Sequence, residues 1–130
     1  MTRQKQRRVV FQLVYSLNYQ GIDQKESVLS EFYHQNSSQE EFPYINDTLT
    51  GICEKWNEIN QIIESALKNW TMNRVSAVCL AILRLAVYEV KFNEDIPVRV
   101  AVNEAIEIAK EFGEDDAGSF VHGVLGKIAS

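Results

Sequence analysis

The chain has 130 residues, 45% of them hydrophobic, with six glycines and two prolines. That composition suits one folded helical domain and argues against disorder or two independent domains. No apolar run reaches the roughly 20 residues of a membrane span, and the basic N-terminus lacks the apolar segment of a signal peptide, so a cytoplasmic protein is expected.

The net charge of −5 hides an asymmetry. Arg3, Lys5, Arg7 and Arg8 precede the first acid, Asp23, so residues 1–22 carry +4 and the remainder −9. An acidic body repels polyanions, which confines any nucleic-acid contact to the basic end; the competing reading is a solvated terminus. Cys53 and Cys79 show no CxxC spacing, and His34 and His122 no HExxH spacing. Buried free thiols are expected, with neither a disulfide nor a metal site.

From about residue 4 to Tyr19 the periodicity predicts a helix with Val10, Leu13, Val14 and Leu17 on one stripe and Gly21 at its end. Lys5, Arg8, Gln12, Tyr15 and Tyr19 share a sector turned away from that stripe. Such a strip can hold phosphates and offer rings to bases or to a protein, or it can be solvated with its tyrosines folded onto a neighbour. Asp23 and Glu26 have capping-box spacing ahead of a short helix bearing Val28, Leu29, Phe32 and Tyr33. From Pro43, the apolar series Ile45, Leu49, Ile52, Trp56, Ile59, Ile63 and Ala66 predicts one long helix with a narrow seam. Packing within the chain is the favoured use of that seam; a helical homodimer is the other.

Between Ala77 and Val90 only Arg84 and Glu89 are charged. A helix that is apolar nearly all round belongs at the centre of a bundle, and its two charges call for a salt bridge or a helix-end contact. The stretch from Pro97 to Ile128 predicts two helices joined at Gly113. Val98, Ala101, Val102, Ala105, Ala109 and Phe112 line the first, and Phe120, Val121, Val124, Leu125 and Ile128 the second. Asp115 or Asp116 could cap the second helix. Gly118, Gly123 and Gly126 each cost it about 1 kcal/mol relative to alanine, which suggests that a neighbouring helix or a bound partner approaches its backbone. No phosphate-binding loop, GxSxG or activated nucleophile is present, so no enzyme is expected.

With these residues placed, the segments AILRLAVYEV (81–90), IPVRVAVNEAIEIAKEFG (96–113) and FVHGVLGKI (120–128), with bases ahead of FQLVYSL (11–17), resemble the NusB family of bacterial transcription antitermination factors. The resemblance implies an all-α bundle of about seven helices in two small subdomains, about 1–69 and 70–130. It also implies a non-enzymatic, RNA-binding role without a cofactor. Family members bind boxA RNA of ribosomal operons together with NusE, a small-subunit ribosomal protein, and join RNA polymerase with other Nus factors. A similar helical domain accompanies some rRNA cytosine methyltransferases, which is the alternative role. Matched by position, the RNA side comprises Arg3, Lys5 and Arg7 with Trp70, Phe112, Asp116 and Phe120, to which Arg8 adds positive charge, and the NusE side comprises Tyr15, with Cys79 standing at a second contact position. Four positions depart from the family pattern: Cys79 and Leu80 replace an acid beside a base, Arg8 replaces an acid, and His122 replaces an asparagine. Asn103 sits in the family's NEA motif, yet a hydrogen bond to a buried loop carbonyl, a structural role, explains it as well as a functional one does.

Overall fold

The computed structural model describes residues 1–36, 40–67 and 71–130. They form seven α-helices: α1 (Arg3–Gln20), α2 (Lys25–Gln35), α3 (Pro43–Glu54), α4 (Trp56–Ala66), α5 (Ala77–Lys91), α6 (Val98–Phe112) and α7 (Ala117–Ala129). Single 3-10 turns lie at Ile22–Gln24 and Met72–Arg74. The described residues contain no strand, so the all-α expectation holds.

α5 is the central rod. Every residue from Cys79 to Val87 is buried, and the helix packs against α1, α3, α4, α6 and α7. Its start is set by Ser76, whose hydroxyl accepts the Cys79 amide at 3.1 Å and so satisfies one of the donors that a helix N-terminus leaves unpaired. Thr2 does the same for α1 through the Lys5 amide, and Gly21, at φ 94°, supplies the left-handed turn that ends it.

The long helix expected from Pro43 to Ala66 is broken at Lys55 (φ −102°, ψ 15°). Unbroken, it would run about 36 Å, more than the width of a small domain, and would carry its far end off the core. The bend costs little hydrogen bonding, because Lys55 still donates to the Gly51 carbonyl at 3.0 Å and Ile59 to the Lys55 carbonyl at 2.8 Å. It lets α3 pack on α1 and α5 while α4 packs on α5 and α7. The seam itself is real: Ile45, Leu49, Ile52, Ile59 and Ile63 are completely buried within the chain. The seam thus packs within the chain, the use favoured for it, with Trp56 half-buried.

Three local expectations change. Asp23 falls in the 3-10 turn, and α2 begins after Gln24 with no side-chain cap, so the capping box does not form. Asp116 does occupy the N-cap position of α7, yet its carboxylate makes no capping hydrogen bond. Of the three α7 glycines, only Gly118 meets a neighbour, with Lys110 Cγ of α6 at 3.3 Å from where a Cβ would stand; Gly123 and Gly126 face open space.

Gly51 is the glycine on which helix packing depends. It is buried where α3 meets α5, and a methyl group there would overlap the Tyr88 ring. Overpacking costs about 1–3 kcal/mol, against about 1 kcal/mol gained in helix propensity. Gly51→Ala is therefore expected to lower stability by up to about 2 kcal/mol in urea unfolding. An unchanged midpoint would show that Tyr88 swings aside freely.

The two charges of α5 part ways. Arg84 meets no carboxylate among the described residues: Nε donates to Asn60 Oδ1 at 3.0 Å, Nη1 to Asn18 Oδ1 at 3.1 Å, and the guanidinium lies 4.3 Å from the centre of the Trp56 ring. Burial pulls its pKa down to about 10, which leaves it charged at neutral pH. It ties α1, α4 and α5 together through two asparagine side chains and a ring, where a salt bridge or a helix-end contact was expected. Glu89 does form a salt bridge, with Arg7.

Candidate nucleic-acid interface

The four N-terminal bases occupy the first two turns of α1, and the structure gives them different surroundings. Arg7 lies on the same side of the helix as Val10, Val14 and Leu17, so its side chain enters the core. Only 3% of the residue is exposed. Its Nε donates to both Glu89 oxygens, at 2.9 and 3.2 Å, and the Tyr44 hydroxyl donates to Glu89 Oε2 at 2.6 Å. Burial works to lower the Arg7 pKa, but Glu89, Tyr44 and Glu104 together outweigh it and the net direction is upward. Burial, then the same carboxylate, raises that of Tyr44. This arrangement corrects the expectation of an RNA-facing Arg7, because a guanidinium enclosed between α1, α3 and α5 offers no donor to a phosphate. The signal was present in the spacing 7, 10, 14, 17, which puts Arg7 on the apolar stripe.

Arg8 lies at the surface but is held by acids of α6. Nε donates to Glu111 Oε2 at 2.7 Å, Nη1 approaches Glu104 Oε2 at 3.8 Å, and Nη1 also donates to the Gln4 carbonyl. Glu104 is shared, since it also lies 3.8 Å from Arg7 and accepts from Gln4 Nε2 at 3.0 Å. Glu104 and Glu111 lie off the apolar series of α6, and nothing local in the sequence showed that α6 would place them against α1. Arg3 is exposed, with its guanidinium 4.2 Å from the centre of the Tyr44 ring. Lys5 is exposed, and its ammonium has no carboxylate partner among the described residues. Arg3 and Lys5 are therefore the cations of this cluster most available to a phosphate.

The aromatic side begins one turn further on. Phe112, at the C-terminus of α6, is 38% exposed, and its ring centre lies 5.1 Å from that of Phe11 on α1. The packing of α1 on α6 thus sets an exposed ring beside the basic turns. Phe120, in the first turn of α7, is half-buried and packed against the core. Asp116 is exposed just ahead of it. Trp70 lies outside the described residues. Because the Asp116 carboxylate makes no capping bond, Asp116→Asn should cost α7 only the favourable charge–dipole interaction, about 0.3–1 kcal/mol. The same change removes a charge that repels a phosphate backbone. Tighter RNA binding at nearly unchanged stability is expected; weaker binding by the folded variant would show that the carboxylate serves as an acceptor for a base.

Of the partner-side positions, Tyr15 is half-buried, and its hydroxyl lies 3.3 Å from that of the exposed Tyr19. Their rings meet edge to face at 5.3 Å between centres. Cys79 is only 7% exposed. Burial raises its pKa, and Asp116 adds to that while the Ser76 hydroxyl opposes it. This corrects its reading as a surface contact: the thiol turns inward at the start of α5. Cys53 is likewise a free thiol raised by burial. No group of three or more His, Cys, Asp or Glu residues suited to a metal exists among the described residues, and no described helix is long and apolar enough to cross a membrane. Asn103 is exposed on α6, beside the shallow groove between Gln4, Arg8, Val100 and Glu107, and so does not fill the buried structural role.

The same order of helices occurs in known proteins. The transcription antitermination protein NusB of Agathobacter rectalis is 41% identical over 133 residues, covering 99% of this chain and 100% of its own. That of Bacillus pumilus is 40% identical over 128 residues, covering 98% and 95%. The solved structure of T. maritima NusB superposes with a TM-score of 0.89 at 34% identity, covering 99% of this chain and 91% of its own. NusB in a crystal structure of antitermination factors NusB and NusE with double-stranded RNA gives a TM-score of 0.85 at 23% identity, covering 99% and 98%, which shows a shared fold. The NusB family pattern matches residues 4–130, so nearly every helix described above is accounted for by it, and the chain belongs to the NusB family.

Proposed function

We propose that this chain is a transcription antitermination factor without catalytic activity, acting in the cytoplasm, that binds single-stranded boxA RNA together with NusE and helps RNA polymerase resist termination. The observation that carries this reading is identity of about 40%, over essentially the whole length of both chains, to proteins named for transcription antitermination. The site is compatible with it. Arg3 and Lys5 hold phosphates, Phe112 offers a ring to a base, and Tyr15 with Tyr19 forms the surface toward NusE. The acidic remainder of the chain confines the RNA to this end.

The decisive measurement is affinity for a short boxA RNA with and without purified NusE. Tighter binding in the presence of NusE is expected, and no gain would sink the adaptor reading. Salt dependence counts the phosphates. With Arg3 and Lys5 as the free cations, the logarithm of affinity should fall with the logarithm of salt at a slope of about −1.4, from about −0.7 per phosphate contact on a single strand. Arg3→Ala and Lys5→Ala should each flatten the slope by about 0.7. Equal slopes in all three chains would place the RNA elsewhere.

A further inference from the structure

Arg8 is the one N-terminal base that is both near the surface and already occupied by acids. Its two carboxylate partners differ in kind. Glu104 is 13% exposed and bonded to Gln4 and Arg7 as well, so it is fixed from three sides. The Glu111 side chain is 50% exposed, and its carboxylate pairs only with Arg8 among the described residues, through a single 2.7 Å bond that an incoming anion could replace. Glu111 also directly precedes Phe112, the exposed ring beside the basic turns.

We propose that Glu111 is a displaceable stand-in for phosphate, a specificity-determining residue that occupies Arg8 until an RNA phosphate takes its place. Resting on the RNA-binding reading above, this inference adds how the site discriminates among polyanions. A phosphate arriving alone must displace a carboxylate from Arg8 and endure its charge. A strand that also stacks a base on Phe112 gains contacts that offset this cost. Glu104 remains as the fixed partner that aims the Arg8 guanidinium, so Arg8 is positioned for the exchange rather than freed by it. An exposed ion pair of this kind is worth about 0.2–1 kcal/mol, which limits the latch to a modest effect on affinity.

The test compares the full-length chain with Glu111→Gln, which keeps shape and an acceptor, and with Glu107→Gln. Glu107 is an exposed acid of the same helix that lines the same groove as Arg8 but is paired with Lys110 and not with Arg8, and it controls for local charge. BoxA RNA affinity should rise up to about fivefold in Glu111→Gln, the upper end of the ion pair's worth, and the salt slope should steepen by part of the roughly 0.7 of one contact, because salt no longer loosens a competing carboxylate at Arg8. Glu107→Gln should change affinity less than twofold and leave the slope alone. In an Arg8→Ala background the Glu111→Gln gain should vanish. Equal gains in the two glutamine variants, an unchanged slope, or a gain that survives Arg8→Ala would each overturn the latch. The same series is run with inorganic polyphosphate. A folded wild-type chain that ignores RNA refutes the RNA reading by itself, and the polyphosphate slopes of wild type, Glu111→Gln and Arg8→Ala then still decide whether Glu111 masks Arg8.

Discussion

Arg7→Ala is expected to cost about 3–5 kcal/mol of folding stability, because it leaves the Glu89 carboxylate buried and without its cation. Glu89 is 1% exposed, and its remaining hydrogen-bond donor is the Tyr44 hydroxyl. A chain of this size should lose about 10–25 °C in melting temperature. Replacing both charges, with Arg7→Met and Glu89→Gln together, keeps an acceptor for Tyr44 and removes the orphaned charge, so it should recover part of the loss. A melting temperature within a few degrees of wild type for Arg7→Ala would show that water or a neighbouring base reaches Glu89. Any loss of RNA binding in Arg7→Ala therefore has to be read beside its thermal unfolding, since the residue belongs to the packing of α1 on α5.

Phe112→Ala is expected to have the opposite profile: RNA affinity falls by about 1–3 kcal/mol, or roughly 5- to 150-fold, while the fold survives. The ring is exposed enough to stack on a base, and its inner edge rests on Phe11. Losing that aromatic contact should cost about 0.5–1.5 kcal/mol of stability. Fluorescence titration with boxA RNA and thermal unfolding on the same samples separate the two effects. A large fall in melting temperature with affinity unchanged would make Phe112 a lid over Phe11 and move the stacking surface elsewhere.

Helix content and composition of the core were legible in the residues alone, because local periodicity carries both. The stripe Val10, Leu13, Val14 and Leu17 and the nearly all-apolar run around Ala81–Val90 had to be buried wherever the helices went, since an apolar face left in water is the larger cost. What depended on the direction of a helix in space was not legible. Lys55 bends because a straight helix would outrun the core, a limit set by the size of the finished bundle. The fate of the bases was decided the same way. Arg3, Lys5, Arg7 and Arg8 look alike as charges, yet α5 brings Glu89 to Arg7 and α6 brings Glu104 and Glu111 to Arg8, from residues 82 to 103 positions away in the chain. The sequence alone determined that this terminus is basic and followed by an acidic body. Only tertiary packing decided which of its cations remain available, because Coulomb attraction acts between neighbours in space and those neighbours are chosen by the burial of apolar faces.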